Sequence, residues 1–250
     1  MTHTLEHPVT APPAAPYSSL IKKAAGACLV LAALTNGLSQ YVGYLVIGDL
    51  DWVDQVRWGA DHLAFQRTEQ MALVVSSMFM TFGLLGIAQV TRWSAPRLTL
   101  VATPLMLWGM WGFHNILAIG YLSGTAAPQI IGVEAAVTLN DGMVSDPGAS
   151  LIGLLPHIVG SFLGVALLSI AAWRSGQFPK IACALVVVFL VWDYVLAPVG
   201  PLEAHLLLFV SWTWLGIALI RMPQAVWAGA GSQGVTGTRS TDGEPGSGAY

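Results

Sequence analysis

Six blocks of apolar residues, separated by polar or Pro/Gly-containing breaks, set the pattern of this chain. They run over roughly 24–47, 66–90, 98–122, 150–173, 181–199 and 203–221. Each is close to the ~20 residues an α-helix needs to cross the hydrocarbon core of a bilayer. The pattern predicts an all-α fold, a polytopic transmembrane bundle of six helices within residues 24–221. Arg92 to Arg97, Arg174 to Lys180 and Pro198 to Pro201 mark short connections, while 48–65 and 123–149 are longer. Pro179 and Pro201 stand where helices can begin, and Pro147-Gly148 breaks the chain ahead of the fourth block. Inside 123–149, the apolar residues Ile130, Ile131, Val133 and Val137 predict a short helix lying over the bundle mouth as a lid.

The ends read differently. Residues 1–23 form an N-terminal tail, polar and Pro/Ala-rich to Pro16, with Lys22 and Lys23 directly before the first block. A cleavable signal peptide would instead place a short apolar core near the start. Residues 222–250 form a C-terminal tail, rich in Gly, Ser and Thr from Gly229 onward, which predicts flexibility.

Composition strengthens the membrane reading. Charged residues are 9% of the chain and hydrophobic ones 55%, against roughly 25% charged in a soluble domain. So few charges cannot keep the surface of a water-soluble protein wet. The ten basic residues at a net charge of −3 exclude a basic nucleic-acid surface. The sequence also lacks a Gly-rich phosphate loop, a zinc-type cysteine spacing and a nucleophile elbow. Cys28 and Cys183 read as small buried residues at helix contacts.

Charge orients the bundle. Lys22, Lys23, Arg92, Arg97, Arg174, Lys180, Arg221 and Arg239 fall on one side of the six blocks, and only Arg57 and Arg67 on the other. By the positive-inside rule the first side is cytoplasmic, which puts both termini there and the chain in the plasma membrane, with lipids as its neighbours.

Once oriented, the polar residues inside the blocks gather in the outward half. His114 and Asn115 lie about 12 Å deep in the third block, His157 about 10 Å in the fourth and Asp193 about 9 Å in the fifth, at ~1.5 Å per residue. Glu69 is near the outer end of the second block, Asn36 and Gln40 are in the first, and Glu203 and His205 open the sixth. Ionisable groups in a bilayer turn toward the bundle interior or a wet cavity. The expectation is one outward-opening pocket with Glu69, His114, His157 and Asp193 as acid/base groups. Asn36, Gln40, Trp108, Trp111, Asn115, Trp192 and His205 would bind the substrate. Each group also has a structural reading. The tryptophans suit an interfacial belt, Asn36 and Gln40 suit interhelical hydrogen bonding, and Glu203 and His205 suit a solvated helix start.

Four functions fit this layer. The first is a membrane-embedded enzyme that transfers protons on a lipophilic small molecule. The second is a haem or metal protein, with His114 and His157 flanking one haem or sharing a metal with Glu69 or Asp193. A ligand binder or small transporter is the third, and a structural or accessory subunit is the fourth.

The run from His157 to Lys180, HIVGSFLGVALLSIAAWRSGQFPK, joins a small-residue face, an apolar stretch and a basic turn. In this it resembles uncharacterised multi-pass membrane proteins of actinobacteria. The resemblance implies the fold class and no site residues.

Overall fold

The computed structural model describes residues 18–48, 50–195 and 203–229. The N-terminal segment 1–17 and the C-terminal segment 230–250, where tail flexibility is expected, lie outside the described residues, as do 49 and 196–202.

The described residues form helices and no strand. Four helices are long and apolar enough to cross a membrane: α1 (Ser18–Ile47), then, after a short helix α2 (Trp52–Asp61), α3 (Leu63–Ser94), α4 (Pro96–Ile131) and, after α5 (Val133–Ser145), α6 (Pro147–Ser175). At about 1.5 Å per residue each exceeds the ~30 Å hydrocarbon core. They fit an integral membrane protein. Two shorter helices, α7 (Lys180–Val195, 16 residues) and α8 (His205–Arg221, 17 residues), pack beside them, and a short α9 (Gln224–Trp227) follows.

Local chemistry sets the helix ends. Asp51 accepts a hydrogen bond from Asp54 N at 2.9 Å and caps α2. Asp146 accepts from Ala149 N at 3.0 Å and caps α6, so Pro147 becomes the first residue of that helix instead of a break before it. Gly132, at φ 84°, separates α4 from α5, and Gly176, at φ 67°, ends α6 in the left-handed conformation. The N-terminal helix begins earlier than its apolar block, at Ser18. Lys22 is buried there and its Nζ donates to Met222 O just past α8. Trp227 of α9 is also buried, so the packed region extends past Arg221.

The helices touch through small residues. A Cβ added at Gly26 would lie 2.6 Å from Gly216 O, and one at Gly83 would lie 2.5 Å from the Leu29 side chain. The tightest seam joins α4 and α6. Cβ atoms built on Gly109, Gly160 and Gly164 would approach backbone atoms of the facing helix to 2.1, 2.5 and 2.3 Å. Small residues let helix backbones approach this closely, which is how packing holds helices together in lipid. Leu29, Leu84, Met106, Leu168, Leu215 and Leu219 fill the centre. Phe82, Leu100 and Ile181 point outward at 60%, 77% and 63% exposure, which suits a lipid-facing surface and would be costly in water.

The bundle has a basic end, with Lys22, Arg92, Arg97, Arg174, Lys180 and Arg221, and an acidic end, with α2 and α5. At the acidic end Arg57 of α2 pairs with Glu134 of α5 at 2.9 Å and with Asp54 at 3.2 Å. The hydrogen bond and charge of Glu134, then those of Asp54, raise its already high pKa. The segment read as a lid is thus partly the last turns of α4 and partly α5. It packs on α2, the end of α4 and the start of α6, not over the polar cavity described next.

Candidate functional site

Four stretches depart from α-geometry into wider π turns: Ala33–Leu38 in α1, Leu122–Ala126 in α4, and Ser150–Leu154 and Pro156–Ser161 in α6. Such bulges leave carbonyls without their usual partner and turn side chains off the regular register. Two of them carry polar residues into one cavity of about 250 Å³: Asn36 on α1, and His157 and Ser161 on α6. Asp193 and Tyr194 of α7 and His205 and Trp212 of α8 complete its polar lining. Gln40 lines it as well, and Met80, Met110, Phe113, Phe189 and Leu208 supply apolar walls.

His157 is held on three sides. Its Nε2 lies 3.1 Å from Tyr194 Oη, its Nδ1 lies 3.3 Å from Ser161 Oγ, and Phe113 stacks on the ring at 4.8 Å. Pro156 has no N–H to offer Ile152 O, four residues back. Asn115 Nδ2 donates to that oxygen at 2.9 Å, which ties α4 to α6 directly beside the imidazole.

On the other wall, Glu203 accepts twice from His205. Its Oε2 takes the backbone N–H at 2.8 Å, and its Oε1 lies 2.5 Å from Nδ1. Asp193 Oδ1 stands 4.0 Å from the same Nδ1. Between the two walls are polar atoms with no partner among the described residues, Asn36 Oδ1 and Trp212 Nε1. Asn36 is 1% exposed and Trp212 2%. A buried polar atom left unpaired costs about 1–3 kcal/mol.

Buried hydroxyls elsewhere in the bundle behave differently. Ser76, Ser169 and Ser211 donate to carbonyls of their own helices at 2.6, 2.8 and 3.1 Å, a self-contained solution available anywhere in lipid. Unpartnered atoms also occur outside the cavity, for example Gln66 Oε1 and Trp192 Nε1. Among the described residues, the unpartnered atoms of the cavity are the ones that share space with two imidazoles, His157 and His205, and with the Asp193 carboxylate.

The expected residues therefore divide. His157, Asp193, Asn36, Gln40 and His205 come together. Glu69 does not join them: it is buried against Gly43, filling the space a Cβ there would need, on the contact of α1 and α3. His114 hydrogen-bonds Ser77 Oγ at 2.8 Å on the α3–α4 seam. It is not among the residues that line the cavity with His157. Asn115 is a helix tie. Trp108 and Trp111 are exposed on the bundle surface, as an interfacial belt would be. Trp192 packs at the edge of the core without lining the cavity. Tyr194 and Phe113 were not singled out in the sequence, since single aromatics near helix ends look like belt residues. Glu203 looked like a plain helix start.

A larger cavity of about 740 Å³ lies at the acidic end among Trp52, Ile116, Ile119, Met143 and Leu154. Its lining is mainly apolar and holds no imidazole among the described residues, with Asp141 as its one acidic residue. Comparisons with family models, characterised proteins and solved structures find no match to this chain.

Proposed function

We propose that the chain spans the plasma membrane six times, with α7 and α8 adding to the four long helices and both termini cytoplasmic. We infer that the polar cavity is the site of a membrane-embedded enzyme that transfers protons on a lipophilic small molecule. The basic end then faces the cytoplasm and the cavity opens outward.

One observation carries the functional reading. Buried, unpartnered Asn36 Oδ1 and Trp212 Nε1 share a cavity with a positioned imidazole. An acceptor and a donor left open in a bilayer protein destabilise it unless a ligand or water pairs with them. The mixed lining suits a small molecule with a polar head and an apolar body. His157 has the geometry of an acid/base group: Tyr194 Oη at its Nε2 gives the proton a second carrier, and Phe113 fixes the ring plane. Helix packing alone, the structural alternative, would leave these atoms paired to each other, as Asn115 is paired to Ile152 O.

Extraction of the purified protein, followed by mass spectrometry, is expected to release a lipophilic small molecule in fixed proportion to the chain. Finding only bulk lipid in the ratio of the surrounding membrane would sink the reading.

A further inference from the structure

We propose that Asp193, Glu203 and His205 bind a first-row divalent metal ion, Zn²⁺ in its simplest form, on the wall of the cavity facing His157. The inference deepens the functional reading and rests on the same cavity, but it concerns an ion's binding and not turnover.

Asp193 stands near the end of α7, His205 opens α8, and Glu203 lies two residues before it. One donor atom from each, the imidazole nitrogen and one oxygen of each carboxylate, can be chosen so that all lie within 4.8 Å of one another. Glu203 and His205 are only 13% and 14% exposed, and Asp193 32%. Two carboxylates against one imidazole leave negative charge beside an apolar interior, where charge needs a counter-charge. Among the described residues, no lysine or arginine lines this cavity. Arg57, at the same end of the bundle, is engaged with Glu134 and Asp54.

A carboxylate–imidazole contact at a helix start is ordinary by itself. Asn36 is what separates this one from the ordinary case. Asn36 lines the same cavity from a different helix and is almost completely buried, and its Oδ1 has no partner among the described residues. A lone-pair oxygen in a cavity that already holds the Asp193 carboxylate is poorly placed for another acceptor. It is well placed for a cation or for the water a cation carries.

The donor set selects the ion. Imidazole with carboxylate oxygens suits Zn²⁺ and its first-row neighbours, whereas all-oxygen sets suit Ca²⁺ and Mg²⁺. Bonds of about 2.0–2.2 Å in a tetrahedral site place neighbouring ligand atoms roughly 3.3 Å apart. The Glu203–His205 contact of 2.5 Å would open and the Asp193–His205 gap of 4.0 Å would close, each by less than about 1 Å. Side-chain rotation covers both. Three protein ligands leave a coordination position facing the cavity, the arrangement of a site that binds water or substrate.

The test uses the full chain in detergent, stripped with a chelator and titrated with Zn²⁺ alone by calorimetry, with bound metal counted after dialysis. One ion per chain is expected. Asp193→Asn, Glu203→Gln and His205→Gln should each weaken binding by more than the roughly 10- to 100-fold that loss of an outer partner costs. His114→Gln, on a different seam, should leave binding unchanged. Circular dichroism checks that each variant keeps its helices, and Co²⁺ in place of Zn²⁺ should give the visible absorption of a nitrogen/oxygen site. No zinc on a folded wild-type chain would overturn the proposal. So would zinc that persists through all three substitutions. If zinc fails while the lipophilic molecule is retained, the metal inference alone falls; if that molecule is absent, the functional reading falls whatever zinc does.

Discussion

His157→Ala is expected to abolish turnover, by about 10²–10⁴-fold as loss of a general acid/base group does, while the helices stay folded. The imidazole sits where three helices converge. Phe113 of α4 covers one face, Ser161 is one turn along α6, and Tyr194 reaches it from α7. The substitution deletes the imidazole, whose two ring nitrogens can take a proton at one position and give one at the other. The helix seam next to it is made by glycines and by Asn115, none of which changes. Tyr194→Phe keeps the ring and loses only the Oη contact, so its loss should be smaller than that of the alanine variant. The measurement is the rate on the molecule recovered from the protein, with thermal unfolding of each variant alongside. An alanine variant that retains full rate would exclude His157. A rate that falls only as far as the folded fraction falls would make His157 a packing residue.

Gly160→Leu should cost the fold itself. Even a single Cβ at that position meets Gly109 N at 2.5 Å, and backbone cannot move aside as a flexible side chain can. Overpacking in ordinary cores costs about 1–3 kcal/mol, and a leucine here pushes α4 and α6 apart along their closest contact. The expected result is a large fall in the yield of monodisperse protein and in its unfolding temperature. Gly142→Ala in α5 is the matched control. Its Cβ meets nothing within 4 Å, so its effect should be small and, through helix propensity, favourable. Equal behaviour of the two variants would mean the α4–α6 seam is not where the bundle is held.

The contrast between these two sites shows what was legible in the chain. The glycines of α6 share a face with His157 and were readable as a packing stripe, because a straight helix repeats its faces at fixed spacing. The depth of polar residues was equally readable from residue counts. Which way each one points was not. Phe113 and His114 are neighbours in sequence, yet about 100° of helical rotation separates them. Phe113 takes the cavity and His114 takes Ser77 on the other seam. Depth alone had grouped Glu69 and His114 with His157 and Asp193, and direction separates them.

The π turns compound this. Those at Ala33–Leu38 and Pro156–Ser161 alter the local register of α1 and α6, and no periodicity in the residues announces them beyond Pro156 itself. The Glu203–His205 pair looked like a solvated helix start because sequence gives no sign that Asp193 approaches it from the preceding helix. Helix ends were misjudged for a simpler reason. Hydropathy finds the apolar centre of a helix, whereas its ends are set by caps and packing, as with Asp146 before Pro147 and Lys22 against Met222.

The central claim is a polar cavity, inside a membrane-spanning bundle, that opens to the side opposite the basic residues. Single-cysteine labelling tests it most directly. With Cys28 and Cys183 replaced by alanine, Gln40→Cys places a thiol on the cavity wall and Ser175→Cys places one at the basic end. An impermeant thiol reagent on intact cells should label Gln40→Cys, and should reach Ser175→Cys only after the membrane is opened. Labelling of Ser175→Cys on intact cells, with Gln40→Cys silent until permeabilisation, would contradict the account.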